Sequence, residues 1–521
     1  MSGQAKAEEV PLKSWIGLLG AMLGAFMAIL DIQITNASLN DITGGISATL
    51  DEGSWISTSY LIAEIITIPL TAWLSRVFTA RWYLLVNVTL FILFSTLCGL
   101  AKSLPEMILF RALQGFTGGV MIPMALTLMI QLLPPSKRGI GGALFGMTAT
   151  MAPAIGPSIG GWLTDNFGWP SNFFVNVIPG SVMLTTLWVA LPKEKLQLQL
   201  LKDGDWTGIA SMALGLGSLT AFLEEGQRKD WFGSRFIQRM FALAVVFLPI
   251  FIYLQFKKRK PLLDLRVLAQ RNVGFSALVN FALGLGLYGS IYVIPLYLAE
   301  VQGYSPFQIG VTLIWVGIPQ LFIFPFVPRL MDRIDLRLIV TFGVAVFAGS
   351  SLLNIHMNKD YAYDQLVFAN LVRALGQPFT IVPLTTLATA MLSREQAPSG
   401  SALFNIARNL GGSVGIAILS TLLTRREQFH SERIGESVSL LNLATQNRIQ
   451  ALVSHFTSLG FDPSLANSQA YQAIQNVVRR ESFIFAFNDC FLFIGVSLLA
   501  GGALVWLCKP PEKGAGKPSA H

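Results

Sequence analysis

The chain has 521 residues, of which 53% are hydrophobic and only 13% are charged. An ordinary soluble domain is about 25% charged, so this composition excludes a soluble enzyme and a disordered chain and favours an integral membrane protein. The net charge of +8 does not indicate a nucleic-acid partner, because the basic residues stand between apolar segments. Three cysteines without a C-x-x-C pair and four scattered histidines predict neither a disulfide framework nor a metal site.

A helix needs about 20 apolar residues to cross a bilayer, and the chain contains fourteen apolar segments of this order. In chain order they lie near 14–37, 54–74, 80–101, 104–133, 138–163, 170–191, 206–224, 237–256, 273–299, 308–330, 338–356, 364–392, 400–424 and 483–508. The first segment is too long for a cleavable signal peptide and lacks a small-residue cleavage site. The sequence therefore predicts an all-α integral membrane protein with fourteen transmembrane helices, which we number as spans 1 to 14.

The positions of Lys and Arg predict the orientation of the chain. With both termini in the cytoplasm, 22 of the 37 Lys and Arg residues fall in or beside cytoplasmic segments and 12 in or beside outer segments. Six of those twelve lie in one long segment, 425–482, which carries little weight in the rule. The segment KKRKPLLDLR (257–266) is the strongest cytoplasmic marker. Both termini are therefore predicted to be cytoplasmic.

The long segment 425–482 between spans 13 and 14 is polar and of mixed charge, and it is predicted to be an outer loop. Four of its apolar residues are spaced to line one face of a surface helix: Ile434, Val438, Leu441 and Leu443. Two interpretations stay open for this segment, a solvated cap on the outer face and a surface that docks a partner.

Self-comparison shows an internal repeat. RALQGFT (111–117) recurs as RALGQPFT (373–380) with one residue inserted, GGALF (141–145) recurs as GSALF (400–404), and LSRVFTAR (74–81) stands opposite LMDRIDLR (330–337). The offsets are 262, 259 and 256 residues, in the same order along the chain. Each half therefore contains six spans in the same orientation, with spans 7 and 8 inserted between the halves. Parallel six-helix repeats are the plan of the major facilitator transporters, whose substrate site lies between the halves near the midplane.

This repeat predicts the domain organisation. Residues 1–191 form the first six-helix half, and residues 192–272 contain the two inserted helices and a cytoplasmic linker. Residues 273–508 form the second half, including the loop 425–482, and residues 509–521 form a cytoplasmic tail. The predicted architecture is the major facilitator fold, with two six-helix pseudo-repeats and two inserted central helices.

Three motifs give the chain a specific resemblance to a known family. RALQGFTGGVMIP (111–123) resembles the helix-4 motif R-x-x-Q-G, APAIGPSIGGWL (152–163) resembles the antiporter motif G-x-x-x-G-P-x-x-G-G of helix 5, and LDIQITNASL (30–39) resembles the helix-1 motif L-D-x-T-x-x-N-x-A-L. With fourteen spans, the chain resembles the EmrB/QacA family of drug:proton antiporters. It is most similar to the EmrB branch, because the long loop before span 14 and the KPP ending are similar there.

The resemblance implies a function and partners. It implies proton-coupled efflux of hydrophobic or amphipathic toxic compounds across a bacterial inner membrane, by alternating access. The implied partners are a periplasmic adaptor and an outer-membrane channel, and the loop 425–482 is then periplasmic.

Ionisable residues inside the spans are the first candidates for the coupling site, because a charge in hydrocarbon is costly and usually functional. At about 1.5 Å per residue, Asp31 and Arg111 both lie roughly 10 Å from the outer ends of their spans, so they can pair. Glu64 lies near the midplane. We assign Asp31, Glu64 and Arg111 to proton coupling, since burial and a nearby guanidinium shift the proton affinity of a carboxylate in opposite directions. The alternatives are a static ion pair for Asp31 and a hydrogen bond to a neighbouring helix for Glu64.

Two further groups complete the candidate residues. Gly156, Pro157, Gly160 and Gly161 form the antiporter motif; small residues let helices approach closely and proline bends them, so we expect either a pivot between the halves or tight static packing. The candidates for the substrate cavity are the polar residues Gln114, Arg373, Asn405 and Arg408.

The cytoplasmic gate motif departs from the family pattern in the first half. The family reads G-x-L-x-D-R-x-G-R-K between helices 2 and 3, but Ala72 replaces the first glycine, Arg76 stands at the aspartate position and Thr79 replaces the second glycine. The second half keeps Asp332 and Arg333, to which we assign the gate.

Other functions remain as alternatives. A dedicated exporter of one metabolite, such as a fatty acid or a siderophore, is the nearest, and a membrane sensor without transport activity is more remote. The sequence contains no compact catalytic set such as H-x-x-x-H, so no enzyme is predicted, and no GxxxxGK[ST] loop, so neither ATP nor another cofactor is expected.

Overall fold

The structure is a computed structural model, and it describes residues 10–202, 204–258, 261–389, 392–393 and 395–509. All regular secondary structure in these ranges is helical. Fourteen of the helices are long and apolar enough to cross a membrane, which confirms the predicted all-α fold with fourteen spans. The tail predicted over 509–521 lies outside the described residues except for Lys509, as do Arg259 and Lys260 of the predicted cytoplasmic marker.

The observed spans agree with the predicted ones to within a few residues, except at the ends of spans 13 and 14. In order they are Leu12–Ala37, Leu50–Val77, Thr79–Leu100, Leu104–Gly118 continued by Met121–Leu132, Arg138–Phe167, Ser171–Phe174 continued by Val177–Ala190, Trp206–Glu225, Arg235–Lys257, Arg271–Glu300, Pro306–Ile323 continued by Val327–Met331, Leu336–Leu352, Tyr363–Thr389, Ala397–Ser437 and Pro463–Ala503. Two more α-helices are Leu39–Gly45 and Leu443–Ser458, and 3₁₀ turns lie at Pro135–Lys137, Leu198–Leu201, Trp231–Gly233, Leu265–Ala269, Leu353–His356 and Leu504–Leu507.

Local sequence explains where several spans begin and break. Span 2 begins with a capping box, in which the Thr49 side chain accepts from the Glu52 N–H and the Glu52 carboxylate accepts from the Thr49 N–H at 3.1 Å. Span 4 is interrupted at Gly119, where a Cβ atom would lie 2.9 Å from the carbonyl oxygen of Glu64. The missing side chain lets spans 2 and 4 approach closely beside a candidate residue of the site.

The two halves repeat the same packing. Span 1 packs on spans 5 and 6, and span 9 packs on spans 13 and 14 in the same way. The halves meet along a seam where span 5 contacts spans 10 and 12 and span 13 contacts spans 2 and 4. Spans 7 and 8 pack on each other, and span 7 also contacts span 2 of one half and span 13 of the other.

Residues 425–482, predicted as an outer segment with a surface helix, are mostly helical. The four apolar residues predicted on one helix face do not share a helix, because Val438 and Leu441 lie between the helix that ends at Ser437 and the one that begins at Leu443. Span 13 continues to Ser437, a separate helix covers Leu443–Ser458, and span 14 begins at Pro463, where the Asp462 carboxylate caps the helix. Spans 13 and 14 have 41 residues each, which is about 60 Å and roughly twice the hydrocarbon thickness. We call residues 425–482 the helical extension. Hydropathy does not reveal it, because its helices are polar.

Candidate functional site

The first half contains a buried ion pair. Arg111 Nη1 donates to Asp31 Oδ2 at 2.6 Å, and the two residues are 0% and 1% exposed. Arg111 Nε also donates to the Ile56 carbonyl at 3.2 Å. The structure therefore brings together the two residues whose similar depth suggested a pair, and it ties span 4 to spans 1 and 2.

Two amides complete the shell around the Asp31 carboxylate. Gln114 Nε2 donates to Asp31 Oδ1 at 2.9 Å, while Gln114 Oε1 accepts from Arg111 Nη1 at 2.8 Å. Asn176 Nδ2 donates to the same Asp31 oxygen at 2.6 Å and to Ser95 Oγ at 3.0 Å. Gln114, which the sequence grouped with the substrate cavity, thus lies in the Asp31 site. We call Asp31, Arg111, Gln114 and Asn176 the Asp31 cluster.

Aromatic rings close the Asp31 cluster on two sides. The Arg111 Cζ atom lies 4.3 Å from the centroid of the Tyr60 ring and 5.8 Å from that of Phe173. A desolvated guanidinium over an aromatic face gains about 2 kcal/mol or more. Tyr60 and Asn176 were not predicted from the sequence, although Asn176 is a lone polar residue within an apolar run, in the break of span 6 between Phe174 and Val177.

The antiporter motif lies on span 5 between span 1 and the opposite half. A Cβ atom on Gly160 would lie 2.9 Å from the carbonyl oxygen and 3.0 Å from the Cα atom of Ile34 in span 1. A Cβ atom on Gly161 would lie 3.4 Å from the Pro306 ring in span 10. Gly156 faces the side chain of Gln33. The small residues therefore allow span 5 to contact both span 1, which carries Asp31, and the second half.

Glu64 belongs to a second polar cluster, which crosses the seam. Its side chain is buried in span 2, and Arg408 and Asn409 of span 13 face the carboxyl group. Arg408 Nη2 donates to Asn405 Oδ1 at 3.1 Å, and its guanidinium contacts Tyr288 of span 9. The structure thus brings together Glu64, Asn405 and Arg408, which the sequence analysis had assigned to two different roles.

Arg373 lies apart from both clusters. It is buried on span 12 and lines a small cavity on the seam together with Thr150 of span 5 and Gln377 of its own span. In the described part of the chain, its Nε and Nη2 atoms have no hydrogen-bond partner.

The loop after span 10 contains an ion pair, but the pair does not include Asp332 or Arg333, the two residues assigned to the cytoplasmic gate. The side chains of Asp332 and Arg333 are exposed, whereas Arg337 Nη2 and Asp335 Oδ2 lie 2.8 Å apart. Near this face of the molecule, Arg138 of span 5 donates to the Thr389 carbonyl of span 12 at 3.1 Å. This contact joins the two halves and was not predicted from the sequence.

Comparison with known proteins gives a family and close relatives. The model of the Major Facilitator Superfamily matches residues 21–416. The colistin resistance protein EmrB of Acinetobacter baumannii is 34% identical, over 95% of this chain and 97% of that protein. The multidrug export protein EmrB of Escherichia coli K12 is 32% identical, over 96% of each. The fatty acid resistance protein FarB of Neisseria gonorrhoeae is 30% identical, over 97% of this chain and 99% of that protein.

A solved structure supports the fold. The human organic anion transporter MFSD10 superposes with a TM-score of 0.60 at 12% sequence identity, covering 95% of this chain and 100% of that one. At this identity the likeness concerns the arrangement of helices alone.

Proposed function

This chain belongs to the major facilitator superfamily, with EmrB-type exporters among its relatives, and we propose that it exports hydrophobic or amphipathic toxic compounds in exchange for protons. It is a multi-pass membrane transporter and not an enzyme. The names of the relatives, which refer to multidrug export and colistin resistance, support drug efflux. We place the protein in a bacterial inner membrane with both termini in the cytoplasm, as the distribution of Lys and Arg favours.

The observation that carries the proposal is the Asp31 cluster. Its carboxylate accepts hydrogen bonds from Arg111, Gln114 and Asn176 while it is excluded from solvent. Contact with a guanidinium favours the ionised carboxylate, whereas an apolar environment without that contact favours the protonated acid. A rocking motion that separates Asp31 from Arg111 therefore loads a proton, and closure of the pair releases it.

The antiporter motif connects proton uptake and release at Asp31 to movement of the halves at the seam. Span 5 contacts Ile34 of span 1, one helical turn from Asp31, through Gly160, and it contacts span 10 of the other half through Gly161. A movement of the halves is therefore passed to the span that carries the carboxylate. Alternating access follows, with span 5 as the pivot.

Glu64, Asn405, Arg408 and Asn409, which we call the Glu64 cluster, are proposed to close the substrate path near the middle of the molecule. Glu64 and Arg408 come from opposite halves and meet near the middle of the molecule. Opening the seam on either side must separate their charges, so Glu64 either takes up a proton or binds a cationic substrate. Asn405 and Arg408 then line the opened cavity, and Asp332 and Arg333 act at its cytoplasmic end.

We also propose that a periplasmic adaptor and an outer-membrane channel continue the path. The helical extension is the surface that projects on the periplasmic side in the proposed orientation. Leu441 and Leu443 on it are 95% and 68% exposed, which suits contact with a protein partner.

The test uses everted membrane vesicles with an acidified lumen. Lipophilic cations, neutral drugs and long-chain acids are added one at a time, and proton release is recorded for wild type, Asp31→Asn and vesicles without the protein. We expect compounds of several classes to release protons in wild type and none to do so in Asp31→Asn. Equal release by the folded variant would contradict the proposed role of Asp31.

A second candidate function is export of one metabolite class. The 30% identity to the fatty acid resistance protein FarB favours it. In the same vesicles, a response to long-chain acids alone would support this dedicated function instead of multidrug export.

A further inference from the structure

Arg373 is a buried guanidinium that forms no ion pair with the residues that the structure describes. It is 2% exposed, and its Nε and Nη2 atoms reach no acceptor among the described residues. None of the ion pairs found in the described part of the chain includes it. A charged side chain inside a membrane protein normally pairs with an opposite charge or lines a polar pathway. Its unmet charge and donors therefore indicate an anion that comes from outside the chain.

The internal repeat shows which counter-charge Arg373 lacks. Arg111 and Arg373 are repeat mates, and Arg111 is neutralised by Asp31. The three repeat offsets of 256, 259 and 262 residues place Leu287, Ser290 and Val293 of span 9 opposite Asp31, and none of these residues is acidic. The Ser290 hydroxyl group is buried and has no hydrogen-bond partner among the described residues, and span 9 contains no acidic residue before Glu300. The second half keeps the cation of the pair, and the only acidic residue of the corresponding span is Glu300 at its end.

The surroundings of Arg373 combine donors with an apolar wall. The guanidinium lines a cavity of about 20 Å³, which has room for about one water molecule. Gln377 lines the same cavity, and its amide oxygen accepts from Gln320 Nε2 at 2.6 Å, which leaves its NH₂ group as a further donor. Leu287 and Val316 form part of the apolar wall. The lining therefore offers donors that suit a carboxylate and aliphatic side chains that suit a hydrocarbon chain.

We propose that Arg373 and Gln377 form a carboxylate-binding site for amphipathic organic acids on the seam between the halves. The carboxylate of the acid accepts from the Arg373 guanidinium, and its chain lies along Leu287 and Val316. The cavity admits a whole acid only when span 5 moves away from spans 10 and 12, so binding depends on the conformation of the transporter. The inference rests on the proposed export function, since it names a substrate class for that function.

The test compares three twelve-carbon probes that differ in charge: dodecanoate, methyl dodecanoate and dodecyltrimethylammonium. Their binding to the purified full-length protein in nanodiscs is measured by equilibrium binding of the radiolabelled compounds, with empty nanodiscs subtracted. We expect Arg373→Gln to weaken dodecanoate binding at least tenfold and to leave the other two probes within about twofold of wild type. Arg373→Lys, which keeps the charge, should recover part of the affinity. Equal dodecanoate binding by wild type and Arg373→Gln would overturn the proposal.

Two controls keep the result decisive. Arg329→Gln removes one positive charge from an exposed position and should not change any of the three affinities. If Arg373→Gln no longer binds any of the three probes, the same binding measurement is made on Gln377→Leu. A selective loss of dodecanoate binding by Gln377→Leu supports the site, and an equal loss for all three probes or no loss refutes it.

The outcome is separable from that of the proposed function. A wild type that binds dodecanoate through Arg373 but releases no protons in vesicles leaves the site intact and refutes antiport. A wild type that exports other drugs while Arg373→Gln has no effect on dodecanoate refutes the site and leaves export intact.

Discussion

Arg111 and Asp31 depend on each other, because either charge left alone in the interior destabilises the protein. Both are removed from solvent, so the loss of one partner leaves an uncompensated charge in the interior. Breaking a buried pair from one side typically costs about 3–5 kcal/mol, whereas replacing both partners is often close to neutral. This asymmetry distinguishes a real buried ion pair from two residues that are merely adjacent.

The corresponding prediction is a double-mutant cycle on stability. Arg111→Gln alone should lower the unfolding free energy by about 3–5 kcal/mol, and adding Asp31→Asn should restore part of that loss because the orphaned charge disappears. Thermal unfolding of the purified variants in one detergent measures the loss of stability in the single variant and its partial recovery in the double variant. A double variant no more stable than Arg111→Gln would contradict the account.

Single residues were only partly predictable from the sequence. Asp31, Glu64 and Arg111 stand out because charges are rare in apolar segments, and motif matches supported Arg111. Asn176 and Tyr60 did not stand out, since neutral polar and aromatic residues are common in spans and their partners depend on how the helices rotate. That Arg373 finds no partner within the described part of the chain is likewise visible only in three dimensions.

At the scale of elements, the contact between spans 1 and 5 depends on the absence of a side chain. The nearest neighbours of a Cβ atom on Gly160 would be backbone atoms of Ile34, which cannot move without the whole helix. Gly349 in span 11 offers a matched position, because a Cβ atom there meets nothing within 4 Å.

We therefore expect opposite effects of the same substitution at these two positions. Gly160→Ala should destabilise the protein by about 1–3 kcal/mol through overpacking and slow export, because spans 1 and 5 are pushed apart. Gly349→Ala should be neutral or stabilise by roughly 0.5–1 kcal/mol, as alanine favours helix over glycine. Thermal unfolding of both variants checks this, and equal melting temperatures would speak against the tight contact.

The start of span 7 is fixed by a charged cap. Asp205 accepts from the Gly208 N–H at 2.7 Å and from Gln255 Nε2 of span 8 at 2.9 Å, and it forms an ion pair with Lys258. Burial raises the pKa of Asp205, but hydrogen bonds from Lys258, Gln255 and the Gly208 N–H outweigh it, so the pKa lies below its usual value. The cap thus joins the inserted spans 7 and 8.

This shift predicts a pH dependence with a definite sign. A carboxyl group whose pKa is lower in the folded state contributes stability above its unfolded pKa, about 3.9, and loses it as the pH falls through the folded pKa. Asp205→Asn should therefore melt at a lower temperature than wild type at pH 7, and this difference in melting temperature should narrow below about pH 4. Melting curves of both proteins between pH 3 and 8 measure the difference, and a difference independent of pH would refute the charged cap.

Element boundaries were predictable where hydrophobicity marks them and not elsewhere. All fourteen spans followed from apolar length. The helical extension did not, because residues such as Arg433 and Glu436 interrupt hydropathy without interrupting the helix. The break of span 4 at Gly119 has a local mark, since Pro123 has no N–H to donate to the Gly119 carbonyl, but the close approach of span 2 at this point does not.

At the scale of the whole molecule, the inserted spans 7 and 8 clamp the two halves together through span 7 and the turn that follows it. Adjacent glutamates at the end of span 7 reach opposite halves, since Glu225 Oε1 accepts from Thr58 of span 2 at 2.8 Å and Glu224 Oε1 accepts from Ser413 of span 13 at 2.9 Å. Trp231 Nε1 beyond them donates to Thr421 of span 13 at 3.1 Å. The sequence identified these spans as inserts but gave no sign of a clamp.

Loosening the clamp should shift the conformational balance. One hydrogen bond is worth about 1 kcal/mol, so Glu224→Leu or Ser413→Ala should each raise the population with the seam open at this face about fivefold, and the two changes together should add little. Distances between spin labels on spans 2 and 13 report that population. Glu436→Leu on the helical extension is the matched control, and a Glu224→Leu distance distribution identical to it would contradict the clamp.

The two-half plan itself was predictable, because RALQGFT and RALGQPFT stand in the same order as their flanking motifs in both halves. What the repeat does not predict is where the halves differ. The first half carries Arg111, which Asp31 neutralises, and the second half carries Arg373, which has no ion-pair partner in the described ranges. Glu64 and Arg408 join the two halves.

The central claim is that the Asp31 carboxylate exchanges its proton when substrate binds. The most direct measurement is proton release from the purified, weakly buffered protein on addition of a compound that the vesicle assay identifies as a substrate, with binding measured in parallel. The account predicts release in wild type and in Gly349→Ala, and substrate binding without release in Asp31→Asn. Undiminished release by an Asp31→Asn protein that still binds the compound would contradict it.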